Sequence, residues 1–151
     1  MNGPSFRFRL ERVRAVRERS EQLAQQELAR AISLRGGTEA DLRASEAHLQ
    51  RAHVEHRTHA GEPMSGATEL LARQAFLERI EAQRSAYTQE LREREAQVAE
   101  RDAELTTAAT EHEMLNRLRE RRRGEHEREA ASRERTTLDE IAASRLGQGA
   151  A

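Results

Sequence analysis

Three histidines, His53, His56 and His59, stand at i, i+3 and i+6, a spacing that raises the question of metal binding. Zinc needs several imidazoles converging on one face. Two helical steps of three residues turn the chain through about 600°, so His53 and His59 diverge by about 120°. A solvated or packing role fits these rings better, and no metal is expected. The densest basic run, Arg117-Leu118-Arg119-Glu120-Arg121-Arg122-Arg123, admits three readings: phosphate contact with nucleic acid, contact with an acidic protein surface, or a solvated helix face. Interspersed glutamate and scarce aromatics weigh against nucleic acid. Phe76, Leu77, Ile80 and Tyr87 gather the only tyrosine and one of three phenylalanines within twelve residues. They either pack against Leu49 and Ala52 or stand as exposed anchors for a partner. No segment resembles a phosphate loop, a nucleophile beside a base, or a placed carboxylate pair. No enzymatic activity and no cofactor are expected.

The elements that must position these groups are helices. Ala67 to Arg123 contains neither glycine nor proline, and neither does Ser5 to Arg35; Gly61-Glu62-Pro63 lies between the two halves. In the second half Leu70, Leu77, Arg84, Leu91, Val98, Leu105 and His112 recur every seven residues, interleaved with Ile80, Tyr87, Arg94, Arg101, Ala108, Leu115 and Arg122. This is a coiled-coil a/d stripe with polar interruptions. The first half carries a poorer, drifting stripe of Phe6, Leu10, Val13, Val16, Leu23, Leu28, Leu42, Leu49 and Ala52, with Ala24, Ala31 and Ser45 filling gaps. The fold expected is all-α, a long antiparallel two-helix coiled-coil hairpin.

Its first arm spans 5–60, its turn 61–67, and its second arm 68–145, leaving 146–151 as a disordered tail. Ser65 or Thr68 is the expected N-cap of the second arm. Partner residues should have numbers summing to about 127, which sets Leu49 against Leu77, Leu28 against Val98, Leu23 against Leu105, Val13 against Leu115 and Leu10 against Leu118. At a rise of about 1.5 Å per residue the arms measure roughly 80 and 115 Å. The second arm then overshoots, leaving residues beyond about 122 unpartnered and prone to fray. Gly36-Gly37 costs a helix about 2 kcal/mol, and Thr38 with Asp41 resembles a capping box. A kink or short break is expected there.

Only 36% of the 151 residues are apolar and 35% are charged, a balance shared by disordered chains and coiled coils; the sustained repeat selects the second. No stretch is long and apolar enough to span a membrane. The N-terminus lacks the apolar core of a secretory signal, so a cytoplasmic location is expected. Cysteine is absent, which excludes disulfides and thiolate chemistry. Every one of the 26 basic residues is arginine. Residues 1–35 hold eight arginines against four acids, residues 36–116 nine against sixteen, and residues 117–135 eight against five. A hairpin therefore brings two basic segments together at its termini, a distribution suited to steering onto an acidic partner.

Four segments resemble the flagellar export protein FliJ family. They are Phe6-Arg7-Phe8-Arg9-Leu10-Glu11-Arg12-Val13, then Leu71-Ala72-Arg73-Gln74-Ala75-Phe76-Leu77-Glu78-Arg79-Ile80, then Leu115-Asn116-Arg117-Leu118-Arg119-Glu120-Arg121-Arg122, and Leu138-Asp139-Glu140-Ile141-Ala142. Their order and spacing cover nearly the whole chain. The resemblance implies a noncatalytic stalk, akin to the γ subunit of rotary ATP synthases, in the flagellar type III export apparatus. It further implies that the paired termini insert into the hexameric export ATPase FliI, through Phe6, Phe8, Leu10, Arg12, Leu118, Arg121 and Arg122. The export gate protein FlhA would be met by Leu49, Ala52, His56, Phe76, Ile80 and Tyr87, although some members have tyrosines where this chain has Ala52 and His56. Export chaperones are further implied partners, and the gate would hold the protein at the cytoplasmic face of the inner membrane. Three rivals remain open: the stalk protein of a virulence type III secretion system, a passive homo-oligomerising coiled-coil scaffold, and a nucleic-acid-binding helical arm.

Overall fold

A computed structural model of the chain describes residues 5–59 and 66–148. Two helices account for almost all of them: α1, Glu11–His59, and α2, Ala67–Gln148. No strand occurs among the described residues. The fold is the all-α helical hairpin that the heptad spacing requires.

The helix ends differ from the expected ones. The chain enters α1 late, through a turn at Arg9 and Leu10, with the Glu11 amide donating to the Phe8 carbonyl at 3.1 Å. Residues 5–8 are therefore not helical. Glu11 sits in the first turn, where the helix dipole favours an acid. At the start of α2 the Gly66 carbonyl accepts the amides of Glu69 and Leu70 at 2.9 and 3.4 Å. Gly66 thus holds the cap position and Thr68 lies inside the helix; Ser65 and the turn at Gly61 to Pro63 fall outside the described residues. α2 continues through Gln148, beyond the expected end at 145.

α1 also runs without a break through Gly36 and Gly37. Thr38, expected to cap a new helix there, is buried instead, and its hydroxyl donates to Glu90 of α2 at 3.3 Å. Packing of the following turns holds the two glycines in a conformation their own propensity disfavours.

Contacts divide the chain into a terminal unit, Met1–Gln22 with Thr107–Ala151, and an inner unit, Leu23–Thr106. In the inner unit the α1 face toward α2 consists of Leu28, Ala31, Arg35, Thr38, Leu42, Ser45, Leu49, Ala52 and His56, at alternating steps of three and four. Its buried members Ala31, Thr38, Ser45 and Ala52 stand seven apart, and all are small. A small side chain at each such step lets the helices approach closely, while Leu28, Leu42 and Leu49 cover the flank. On α2 the half-buried and buried positions from Leu77 to Leu105 coincide with the sequence stripe. Arg84, Arg94 and Arg101 occupy three of them; arginine lays its apolar stem along such a seam and keeps its charge at the edge. Leu70, at the beginning of the stripe, is exposed.

The terminal unit departs from expectation on α1. Counting back by sevens from Leu28, the half-buried positions are Glu21 and Arg14, with Glu11 and Glu18 beside them. Val13 and Val16 face outward, the latter 66% exposed, and Leu23 at the edge of the inner unit is exposed too. The early members of the first arm's stripe, Val13, Val16 and Leu23, thus lie off the seam, while Leu28, Leu42, Leu49 and Ala52 lie on it, because a continuous helix must keep the phase fixed by Leu28 to His56. Against this polar face α2 sets Ala108, His112, Leu115, Asn116 and Leu118. From Glu127 to Leu146 every residue of α2 is exposed.

Candidate functional site

Two clusters answer to the candidate residues, one in each unit. In the terminal unit, residues 5–10 run alongside α2 before α1 begins. A non-helical segment advances at up to about 3.3 Å per residue, against 1.5 Å in a helix, so a few residues reach past several turns of α2. Phe6 lies 5.7 Å from the His126 ring, tilted by 54°. The overhang expected from residue 122 is accordingly covered to His126. Between this segment and α2 is an open groove of about 720 Å³, lined by Phe6, Phe8, Leu10 and Leu118, with Arg7, Arg9, Arg122, Glu125, His126 and Glu129 around them.

Five of the seven residues assigned to ATPase binding thus line one groove: Phe6, Phe8, Leu10, Leu118 and Arg122. Arg12 and Arg121 are exposed outside it. Arg122 is tied to Glu125 at 3.0 Å. His126 and Glu129 were missed, since sequence periodicity does not reveal how far a non-helical segment extends. An apolar floor with a mixed charged rim suits a protein segment.

Behind the groove the two helices meet through polar contacts. Arg17 pairs with Glu111 at 2.7 Å and Arg119 with Glu11 at 3.4 Å. Arg14 donates to the Asn116 amide oxygen at 3.4 Å, and His112 Nδ1 lies 2.6 Å from Glu21. The Asn116 side-chain nitrogen is 3.2 Å from His112 Nε2. The hydrogen bond from Arg14 holds the Glu11 carboxyl below the ordinary glutamate value, with the charges of Arg14 and Arg119 adding to it against a smaller desolvation effect. The same bond raises Arg14.

In the inner unit the six residues assigned to the export gate divide by exposure. Ile80 and Ala52 are buried at 3% and 6% exposure, covered by the opposite helix. Leu49, His56 and Tyr87 are half-buried. Phe76 alone is open, at 42%, with its ring edge-on to His48 at 6.0 Å. His48, unremarked in the sequence, is therefore part of this cluster. Val54, Leu70 and Leu71 of the same unit are also exposed apolar side chains.

His53 and His59 are exposed and His56 is half-buried with an unpartnered Nδ1. Among the described residues no group of three histidine, cysteine or acidic side chains could hold a metal ion. No helix among them is long and apolar enough to cross a membrane.

Among curated proteins nothing matches the chain, and among solved structures nothing does either. A family model described as Flagellar FliJ protein matches residues 6–150, from the phenylalanine at the groove to two residues past the end of α2. With that match extending over both units and both helices, the chain belongs to the FliJ family of flagellar export proteins.

Proposed function

We propose that the protein is a noncatalytic stalk and escort of the flagellar export apparatus, whose terminal unit engages the export ATPase FliI and whose inner unit meets the export gate protein FlhA. Family membership supports the system, and it favours the flagellar apparatus over a virulence one. The observation that carries the ATPase assignment is the convergence of Phe6, Phe8, Leu10, Leu118 and Arg122 on one groove of the terminal unit. A helical pair placed in a symmetric ring makes its nucleotide sites inequivalent and so biases which subunit closes. Phe76, the open member of the inner cluster, is the anchor for the gate, with Leu49, Ala52 and Ile80 holding its helix in place. Export chaperones and a peripheral position at the inner membrane follow from the same reading.

The test is steady-state turnover of the cognate export ATPase with and without the protein, with hexamer formation tracked alongside. Saturable stimulation is expected, and Arg121→Glu with Arg122→Glu should abolish it while circular dichroism stays unchanged. Phe76→Ala should spare stimulation and weaken gate binding. Absence of stimulation by a folded protein would leave the scaffold reading in its place; equal loss of both activities on Phe76→Ala would refute the division of labour between the units.

A further inference from the structure

We propose that the first turns of α1, Glu11 to Gln22, form a detachable arm that leaves α2 while the inner unit stays paired, with ionic strength setting how often it opens. Polar contacts between this arm and α2 include Arg17–Glu111, Glu11–Arg119, Arg14–Asn116 and Glu21–His112. Its own apolar side chains contribute little to the interface: Val13 and Val16 point outward and Leu10 is exposed. The half-buried positions where a coiled coil keeps leucine or valine hold Arg14, Glu18 and Glu21 here.

Partly exposed ion pairs hold weakly and are screened by salt. A segment with few buried apolar contacts opens at low local cost. The inner unit differs in kind, with Ala31, Ala52 and Ile80 buried and a run of half-buried leucines from Leu28 to Leu105. Phe6 against His126 is the apolar contact at the far end of the arm, and it acts as the latch. Release of the arm uncovers Glu111, His112 and Arg119 on α2 and frees Arg17, while Arg14 keeps Glu11 and Glu18 on the arm itself, so a charged partner helix competes with the arm for the same α2 groups. This property belongs to the free chain, and its failure would leave the stalk reading intact.

Hydrogen–deuterium exchange of the full chain tests it. Raising sodium chloride from about 0.05 to 0.5 M should speed exchange across residues 11–22 by about tenfold and change residues 28–56 by less than about twofold. Phe6→Ala should speed the same segment at constant salt. Glu111→Arg, which sets two arginines face to face, should also open the arm, and Arg17→Glu combined with it should restore protection. Exchange of 11–22 that is as slow as the inner unit and insensitive to salt would overturn the proposal. So would opening of α1 as one cooperative helix, or a double variant no better protected than Glu111→Arg alone.

Discussion

Glu11 illustrates how one side chain ties helix start, cross-helix pairing and pH together. It receives hydrogen bonds from Arg14 at 2.9 and 2.7 Å and faces Arg119 on α2. Its folded pKa lies below the ordinary 4.5, so the fold favours its charged form. Its contribution is present above the unfolded value and is lost as pH falls through the lower folded one. Amide shifts of the first α1 turn should therefore move below about pH 4.5, and Glu11→Gln should remove that step. A titration unchanged by the substitution would assign the step to another carboxylate. Arg84 shows the opposite case, a charged residue at a seam position whose buried Nε has no hydrogen-bond partner. Arg84→Leu should raise stability by about 1 kcal/mol, measured by thermal denaturation, because a seam-filling apolar side chain replaces an incompletely paired charge. A lower melting temperature would mean that the guanidinium's outer nitrogens contribute more than its buried Nε costs.

At the scale of the helices, Gly36 and Gly37 offer the sharpest test of why α1 is continuous. A Cβ added at either meets nothing within 4 Å. Gly36→Ala with Gly37→Ala should stabilise the hairpin by about 1–2 kcal/mol in denaturant unfolding, through helix propensity alone. A loss of stability would show that the glycines satisfy a requirement of backbone shape. The α2 seam was legible because its leucines and valines fall every seven residues on one face. The α1 seam was legible from Leu28 to Ala52, where leucines, alanines and Ser45 share one face, but not at its buried Thr38, which carries no hydrophobic signal. Before Leu28 the apolar residues Val13, Val16 and Leu23 lie off the buried face.

For the molecule as a whole, charge is partitioned between the two units. The terminal unit's residues include fifteen arginines against twelve acids, and the inner unit's eleven against fifteen. Under the stalk reading the basic unit is the one that approaches the ATPase, so association should slow as salt rises. Stopped-flow binding to the cognate ATPase should show the rate falling by about tenfold between 0.05 and 0.5 M sodium chloride. A salt-independent rate would place the recognition in the groove's apolar residues alone. From the heptads, the glycine-free runs and the position of Pro63, the sequence by itself determined two antiparallel helices, the approximate pairing of their residues and the family. Local propensity and periodicity suffice for these, because a helix and its apolar stripe are properties of neighbouring residues. Only the tertiary structure decided which α1 face is buried before Leu28, that α1 passes through Gly36 and Gly37, and that Phe6 reaches His126. Each of those depends on what the opposite helix supplies, and that leaves no trace in local spacing.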